Sequence, residues 1–269
     1  MYGYNVFHKK LMMTLIESVR RNENANTYIF EGAEGLKKHE AALLFAKSLV
    51  CTNTNTAPCC DCPACHEAQG LSHPDIVFVE REKDKATLGV EPIRDMITEC
   101  LIKPFYNRHK VFIINEGDLL TPQAQNAFLK IIEEPPAYAV FIIVCTNSQI
   151  LLETVRSRAV SVTFTPVSDN DIREYINTTY PDEPRVDFLV KYSMGIPGYV
   201  DRIIEREDFD ELREEVLNLL PRLLSKNKIH AFDVADYIEE HKDNADEIYD
   251  MMLMYLRDAI VTATGKPDK

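Results

Sequence analysis

The stretch KVFIINEGDLLTPQAQNAFLKIIEEPPAYAVFIIV, residues 110–144, decides the fold class of this 269-residue chain. It begins and ends with short, continuous apolar runs, at 110–114 and 139–144. Such runs are typical of strands that are covered on both faces, as in a parallel sheet. A helix is predicted between them over 122–133, with Thr121 as its N-cap and a proline at its first position. Strand, helix and strand in this order predict a wound α/β sheet.

The same alternation continues on both sides of this stretch. Further strands are predicted at 27–31, 75–80 and 159–163, and further helices at 7–21, 39–50 and 90–102. After residue 164 the strand signals stop, and helices are predicted at 170–178, 187–192, 198–205 and from 209 onward. We expect three domains: an α/β domain over 1–165 with a cysteine-rich module at 51–65, a small helical domain over 166–206, and a further helical domain over 207–269.

Composition excludes several classes of protein. Hydrophobic residues make up 45% of the chain and charged residues 27%, as in ordinary globular proteins. No run of about 18 apolar residues occurs, which excludes a membrane-spanning helix. The first residues do not resemble a secretory signal, so we expect a cytoplasmic protein. Lysine and arginine number 30 against 43 acidic residues, a net charge of −13, which counts against binding nucleic acid mainly by covering phosphates with cations.

A degenerate phosphate-binding loop follows the first predicted strand. The sequence GAEGLKKH, which starts at Gly32, partly matches the P-loop pattern G-x-x-x-x-G-K-[ST]. Gly32 and Lys38 fit the pattern, and Gly35 is out of register. Lys37 replaces the second glycine, and His39 replaces the hydroxyl residue that would bind Mg²⁺. These replacements should weaken nucleotide binding, although a loop that still holds a nucleotide is a second interpretation.

The acidic half of such a nucleotide site is also altered. The strand at 110–114 ends in Asn115-Glu116, where an active enzyme of this type carries Asp-Glu. The aspartate would orient Mg²⁺ and the glutamate would polarise the attacking water. Asn115 is neutral and a poor magnesium ligand, and Glu116 alone is also compatible with an ordinary solvated charge. Because both halves of the site are altered, we expect no ATP hydrolysis.

Five of the seven cysteines fall within fifteen residues. Cys59, Cys62 and Cys65 are spaced by two residues each, and Cys51 supplies a fourth thiolate, the number that a closed structural zinc site requires. Cys60 is out of phase and is the expected spare, although its exchange with Cys59 stays open. In a reducing compartment, clustered thiols bind metal more often than they form disulfides. The cluster therefore predicts a structural Zn²⁺ site.

An arginine lies on the turn that is predicted before the strand at 159–163. The sequence there is Thr-Val-Arg-Ser-Arg and ends at Arg158. Taken alone, this arginine is an ordinary exposed cation. The alternative is an arginine finger, whose planar guanidinium stabilises developing charge on a phosphate in a neighbouring subunit.

Together these segments resemble the AAA+ clamp-loader subunits of bacterial DNA polymerase III, and most of all their delta prime branch. The strongest match is 110–136, where Ala-x-Asn-Ala-x-Leu-Lys and Glu-Glu-Pro-Pro occur in order, followed by 151–164 and the cysteine-rich module. The resemblance implies a P-loop-type α/β AAA+ domain with an inserted zinc module, a helical lid and an all-helical collar. The chain ends earlier than is usual in the family, so we expect a collar that is cut short.

The resemblance also implies roles for individual residues. Its zinc ligands match Cys51, Cys59, Cys62 and Cys65. Its Ser-Arg-Cys motif matches Ser157 and Arg158, with Ala159 in place of the cysteine, and implies that the arginine acts at the ATP site of an adjoining motor subunit. Lys37, His39 and Asn115 place the chain in the delta prime branch. Tyr199 stands where a sensor arginine or lysine is usual in the family, which implies a further loss on the nucleotide side. The remnants of the nucleotide site would be Gly32, Gly35, Lys38 and Glu116.

The expected function is that of a non-hydrolysing clamp-loader subunit within a DNA-directed DNA polymerase complex, a hetero-oligomeric nucleotidyltransferase. The expected protein partners are the gamma or tau subunits and the delta subunit, while the sliding clamp and primer-template DNA are reached through the complex. A structural Zn²⁺ is expected and bound ATP is not. Two alternatives stay open: an active ATPase of the gamma/tau type, and a zinc-dependent adapter that binds DNA.

Overall fold

The computed structural model describes residues 7–106, 108–206, 208–223 and 228–264. The chain divides into two compact units, Met1–Gly198 and Tyr199–Lys269. The predicted three domains, with boundaries after residues 165 and 206, stay a prediction. No helix in the described ranges is long and apolar enough to cross a membrane.

A five-stranded parallel sheet forms the centre of the first unit. Its strands are β1 Thr27–Glu31, β2 Ile76–Val79, β3 Lys110–Ile114, β4 Ala139–Cys145 and β5 Val160–Thr163. Their order across the sheet is β2-β3-β4-β1-β5, and every neighbouring pair is parallel. The central strands β3 and β4 are buried along their whole length, as continuous apolar runs predict. β5 lies at an edge and exposes most of its side chains. The predicted wound α/β sheet is confirmed.

Helices connect the strands and make up the C-terminal part of the chain. The helices up to residue 192 are α1 Lys9–Arg20, α2 Lys38–Val50, α3 Pro63–Gln69, α4 Val90–Cys100, α5 Pro122–Glu133, α6 Glu153–Arg156, α7 Asp169–Thr179 and α8 Val186–Tyr192. They are followed by α9 Pro197–Glu205, α10 Phe209–Leu223, α11 Lys228–Glu240 and α12 Ala245–Ala263. Single 3₁₀ turns occur at Gly117–Leu119, Ser148–Ile150 and Lys242–Asn244. The short helices α3 and α6 were not predicted.

Local sequence explains where α5 begins and how it is held against the sheet. The Thr121 hydroxyl accepts a hydrogen bond from the Ala124 N–H at 3.2 Å, so the predicted N-cap is confirmed. On the buried face of α5, the Phe128 ring meets the Phe141 ring of β4 edge-on, with 5.3 Å between centroids. Phe141 also stacks on Phe112 of β3 at 5.3 Å. Burying each ring stabilises the fold by about 2–3 kcal/mol.

Candidate metal centre and candidate nucleotide site

Four cysteine sulfurs converge at the module that follows α2. The Sγ atoms of Cys51, Cys59, Cys62 and Cys65 all lie within 4.8 Å of one another. Cys51 and Cys62 are 4.0 Å apart, as are Cys59 and Cys65. A tetrahedral zinc–thiolate site with Zn–S bonds of about 2.3 Å has sulfurs about 3.8 Å apart, so this arrangement fits the ion closely. The cluster that the spacing predicted is therefore assembled in the structure.

Backbone geometry prepares these thiols to bind a metal. The Cys59 N–H donates to Cys51 Sγ and the Cys65 N–H donates to Cys62 Sγ, each at 3.4 Å. Interaction between the neighbouring Cys51 and Cys65 thiols lowers the pKa of Cys51 to about 5 and raises the pKa of Cys65. A thiolate is the form that binds metal, so the lowered pKa of Cys51 favours metal binding. Cys62 is also the N-cap of α3, which carries Cys65 inward on its first turn.

Cys60 lies outside the cluster. Its Sγ points toward the Pro58 carbonyl oxygen at 3.7 Å, and its backbone is left-handed with φ of 64°. Cys60 is out of phase with the C-x-x-C spacing, and its side chain points away from the other four sulfurs. Cys59 supplies the fourth sulfur of the cluster instead. The spacing left open an exchange of Cys59 for Cys60, and this exchange does not occur in the structure.

Arg108 brings a buried positive charge to this region, and the sequence did not single it out. Its Nε and Nη2 atoms are buried and have no hydrogen-bond partner within the described residues. Burial lowers the pKa of Arg108, while the charge on Cys51 acts in the opposite direction. Four thiolates around a divalent ion carry a net charge of −2, so a nearby cation compensates charge at such a centre.

The loop after β1 uses its own lysine to bind its own carbonyl groups. Lys38 Nζ donates to the Gly32 oxygen at 2.6 Å and to the Ala33 oxygen at 2.8 Å, and the side chain is buried. Burial lowers the pKa of Lys38, an effect that the Asp118 carboxylate opposes. The ammonium group that would contact phosphate in an intact P-loop is thus engaged within the loop.

Two further features fix the shape of this loop. The Gly198 N–H donates to the Gly35 oxygen at 2.9 Å, and a Cβ at Gly198 would lie only 2.6 Å from Gly35 Cα. Lys37, in place of the second glycine of the motif, has a left-handed φ of 58° and pairs with Glu40 at 3.3 Å. That conformation costs a non-glycine residue roughly 1–2 kcal/mol. Lys37 therefore adopts a backbone conformation that favours glycine, the residue that the motif has at this position.

His39 and Asn115, the two residues predicted to stand in place of magnesium ligands, contact each other. His39 Nδ1 and Asn115 Oδ1 lie 2.7 Å apart. Since an amide oxygen only accepts, the imidazole N–H is the donor. This hydrogen bond joins the first turn of α2 to the residue after β3, from which a hydroxyl and an aspartate would approach Mg²⁺ in an active site. The side chains at these two positions are therefore joined by a hydrogen bond.

Glu116 forms an ion pair with a residue outside the predicted set. Its Oε2 lies 3.1 Å from Arg81 Nε, and both side chains are partly exposed. The carboxylates whose charges act on Lys38 are instead those of Asp118, which has the larger effect, and Glu34. Asp118 accepts hydrogen bonds from the Thr146 N–H and hydroxyl, at 2.7 and 2.9 Å. The sequence singled out neither Arg81 nor Asp118, because neither belongs to the P-loop pattern or to its acidic pair.

The candidate finger arginine lies in the turn between α6 and β5. Arg158 Nη2 is 3.1 Å from Glu133 Oε1, and its Nη1 donates to the Thr154 oxygen at 3.0 Å. The Ser157 hydroxyl donates to the same oxygen at 3.1 Å. The Arg158 side chain is 39% exposed. The guanidinium is therefore at the surface next to an edge strand, and its action on another subunit stays a prediction.

The family described as DNA polymerase III, delta subunit, matches residues 7–168, which is more than half of the chain. This chain belongs to that family. It is 27% identical to DNA polymerase III subunit delta′ of Bacillus subtilis, with 98% of this chain and 80% of that protein covered. It is 26% identical to the tau subunit of the same organism, with 97% of this chain and 50% of that protein covered.

Proteins related to the gamma and tau subunits of other bacteria are also similar to this chain. The tau/gamma subunit of Haemophilus influenzae is 29% identical over 172 residues, which are only 25% of its own length. Among solved structures, a DNA polymerase III gamma subunit-related protein of Thermotoga maritima is 19% identical, has a TM-score of 0.46, and covers 88% of this chain and 77% of its own. Membership of the DNA polymerase III delta-subunit family, the parallel sheet and the helical C-terminal part confirm the predicted AAA+ fold class.

Proposed function

We propose that this member of the family is a non-hydrolysing subunit of the sliding-clamp loader. The hydrogen bond between His39 and Asn115 is the observation that carries the proposal. Hydrolysis of ATP needs a magnesium ion held at those two positions, and a histidine–asparagine pair supplies neither a hydroxyl nor a carboxylate to it. Lys38 and Glu116 support the same conclusion, because each already has a partner within the chain.

The proposed partners are the motor subunits, of the gamma or tau type, and the delta subunit. Arg158 would be presented to the ATP of an adjoining motor subunit, where a guanidinium stabilises transition-state charge. The clamp and primer-template DNA would be reached through the assembled complex. A net charge of −13 supports a subunit that works mainly through protein contacts, since a chain that covers phosphates needs an excess of cations.

We also propose that the four-cysteine cluster holds a structural Zn²⁺. The sulfur separations of 4.0 Å and the N–H donors to Cys51 and Cys62 support this assignment. All four positions of a tetrahedral ion would be filled by protein, so the metal would stabilise the fold and leave no site for substrate.

Nucleotide binding separates this function from that of an active ATPase. We expect isothermal titration of the purified chain with Mg-ATP to give no heat of binding at micromolar concentrations. Lys37→Gly, His39→Ser and Asn115→Asp together should restore Mg²⁺-dependent binding, because they return the glycine, the hydroxyl and the carboxylate of the motif. Adding Lys38→Ala to this triple variant should abolish the gain. Tight binding and turnover by the unmodified chain would establish the active ATPase instead.

Reconstitution tests the assignment to the clamp loader. The chain should co-purify with the motor and delta subunits of its own organism, and omitting it should abolish ATP-dependent loading of the clamp onto primed DNA. Fluorescence anisotropy of labelled primer-template DNA with the isolated chain tests the adapter alternative. We expect no binding at about 0.15 M salt, whereas an adapter would bind with an affinity that falls steeply as salt increases.

A further inference from the structure

The candidate finger arginine is held by two groups on different elements. Glu133, the last residue of α5, approaches Arg158 Nη2 at 3.1 Å. The carbonyl oxygen of Thr154, in α6, accepts from Arg158 Nη1 at 3.0 Å. An arginine side chain is otherwise free to sample many rotamers, and two contacts on separate helices favour the rotamer that makes both of them.

These two contacts leave part of the Arg158 guanidinium available to bind another group. The group has five N–H donors in one plane. One hydrogen on Nη1 is donated to the Thr154 oxygen, and Nη2 forms an ion pair with the Glu133 carboxylate. Ser157 Oγ lies at 3.4 Å from Nη1, a weaker contact. In the described part of the chain, Nε has no hydrogen-bond partner. A planar group that is fixed along one edge and open along another is suited to bind a phosphate with two donors at once.

The position of Glu133 is not explained by the stability of its own helix. A carboxylate in the last turn faces the negative end of the helix dipole, where acidic side chains are unfavourable. Both partners of the ion pair are partly exposed, with 39% of the Arg158 side chain and 52% of the Glu133 side chain accessible, and pairs of this kind contribute little to folding. The contact therefore has little value to the fold, and orienting Arg158 is the effect that remains.

We propose that Glu133 is a positioning residue that orients Arg158 toward the terminal phosphate of a nucleotide bound by the adjoining subunit. This inference rests on the proposed function of Arg158. Glu133 itself would not touch the nucleotide, because a carboxylate repels phosphate. It would hold the Arg158 guanidinium in its orientation before the subunits meet. The free-energy cost of orienting that group would then not add to the activation barrier.

The test uses the complete clamp-loader complex with Glu133→Gln in this chain. Glutamine keeps the size of the side chain and removes its charge. We expect single-turnover ATP hydrolysis at the adjoining site to fall by about tenfold, with the KM for ATP unchanged, since misplacing a catalytic group lowers the rate of the chemical step. Glu134→Gln is the matched control: it is the next residue, it is exposed, and it has no contact with Arg158 among those described. Its rate should stay within about twofold of the unmodified complex.

A double variant distinguishes positioning from a general structural role. If Glu133 acts through Arg158, Glu133→Gln should cause no further loss in an Arg158→Ala background, whereas independent effects would multiply. Multiplied losses, or a rate that rises with Glu133→Gln, would overturn the inference. An unchanged rate with Glu133→Gln beside a slow Arg158→Ala complex would overturn it too, and the proposed function would stand. If Arg158→Ala itself hydrolyses ATP at the normal rate, the proposed function fails first.

Discussion

Replacing Arg158 with alanine should reduce hydrolysis at the ATP site of the adjoining motor subunit by about 10³-fold, the effect of an arginine finger in well-studied nucleotide hydrolases. The total ATPase rate of the complex should fall by the fraction that this site contributes. The rate of clamp loading should fall as well. Arg158→Lys should recover only part of the rate, because an ammonium keeps the charge but lacks the planar fork. Single-turnover hydrolysis and a clamp-loading assay measure both quantities.

The same substitution should leave the isolated chain folded. The ion pair with Glu133 joins two partly exposed side chains, so its loss costs at most about 1 kcal/mol. Thermal unfolding should therefore shift by no more than roughly 2–4 °C. Lys191→Ala removes the same charge from an exposed position in α8 and serves as the control for net charge. Normal loading by the Arg158→Ala complex, or an equal loss with Lys191→Ala, would refute the finger.

Replacing Cys65 with serine should remove the metal ion and unfold the cysteine module. Structural zinc sites in small peptides have binding free energies of about 10–16 kcal/mol. If the chain as a whole loses even about 3 kcal/mol of this, its Tm falls by roughly 6–12 °C. Mass spectrometry under native conditions should find one zinc ion per unmodified chain and none in the Cys65→Ser variant. Extended treatment of the unmodified chain with a chelator should lower its Tm in the same way.

Cys60→Ser is the matched control for this experiment. Its Sγ contacts the Pro58 oxygen and lies outside the four-sulfur cluster, so the variant should keep both its metal and its Tm. Loss of zinc from Cys60→Ser would show that the ligand set is wrong. A full complement of zinc in Cys65→Ser would show that the ion does not depend on the cluster.

The sequence predicts the fold well where a single segment contains all the necessary information. α5 begins and ends where predicted, because Thr121 and the proline after it define its first turn and the apolar spacing defines its length. The strands β1 and β3 match their predicted ranges, since continuous apolar runs are bounded by polar residues. α3 was missed because seven residues give too little periodicity, although a proline directly after Cys62 is typical of a helix start.

The site is predictable only in part, because its decisive contacts join residues that are distant in sequence. His39 and Asn115 were each recognised as a defect in a nucleotide site, yet their mutual hydrogen bond depends on α2 and β3 lying side by side. The pairing of Glu116 with Arg81 has the same origin. Cysteine spacing did predict four ligands, since the residues within one short module converge without help from the rest of the fold.

The Cys60 side chain points away from the four-sulfur cluster and therefore provides a selective site for labelling. Four of the seven cysteines converge in the cluster, and Cys100 and Cys145 are buried, which raises their pKa to about 11 and about 12. Thiol reagents react with the accessible thiolate, so we expect a maleimide dye to react with Cys60 when the other four clustered thiols hold a metal ion. A fluorophore attached there would lie beside the metal centre and report on its integrity during assembly, with every native cysteine still in place.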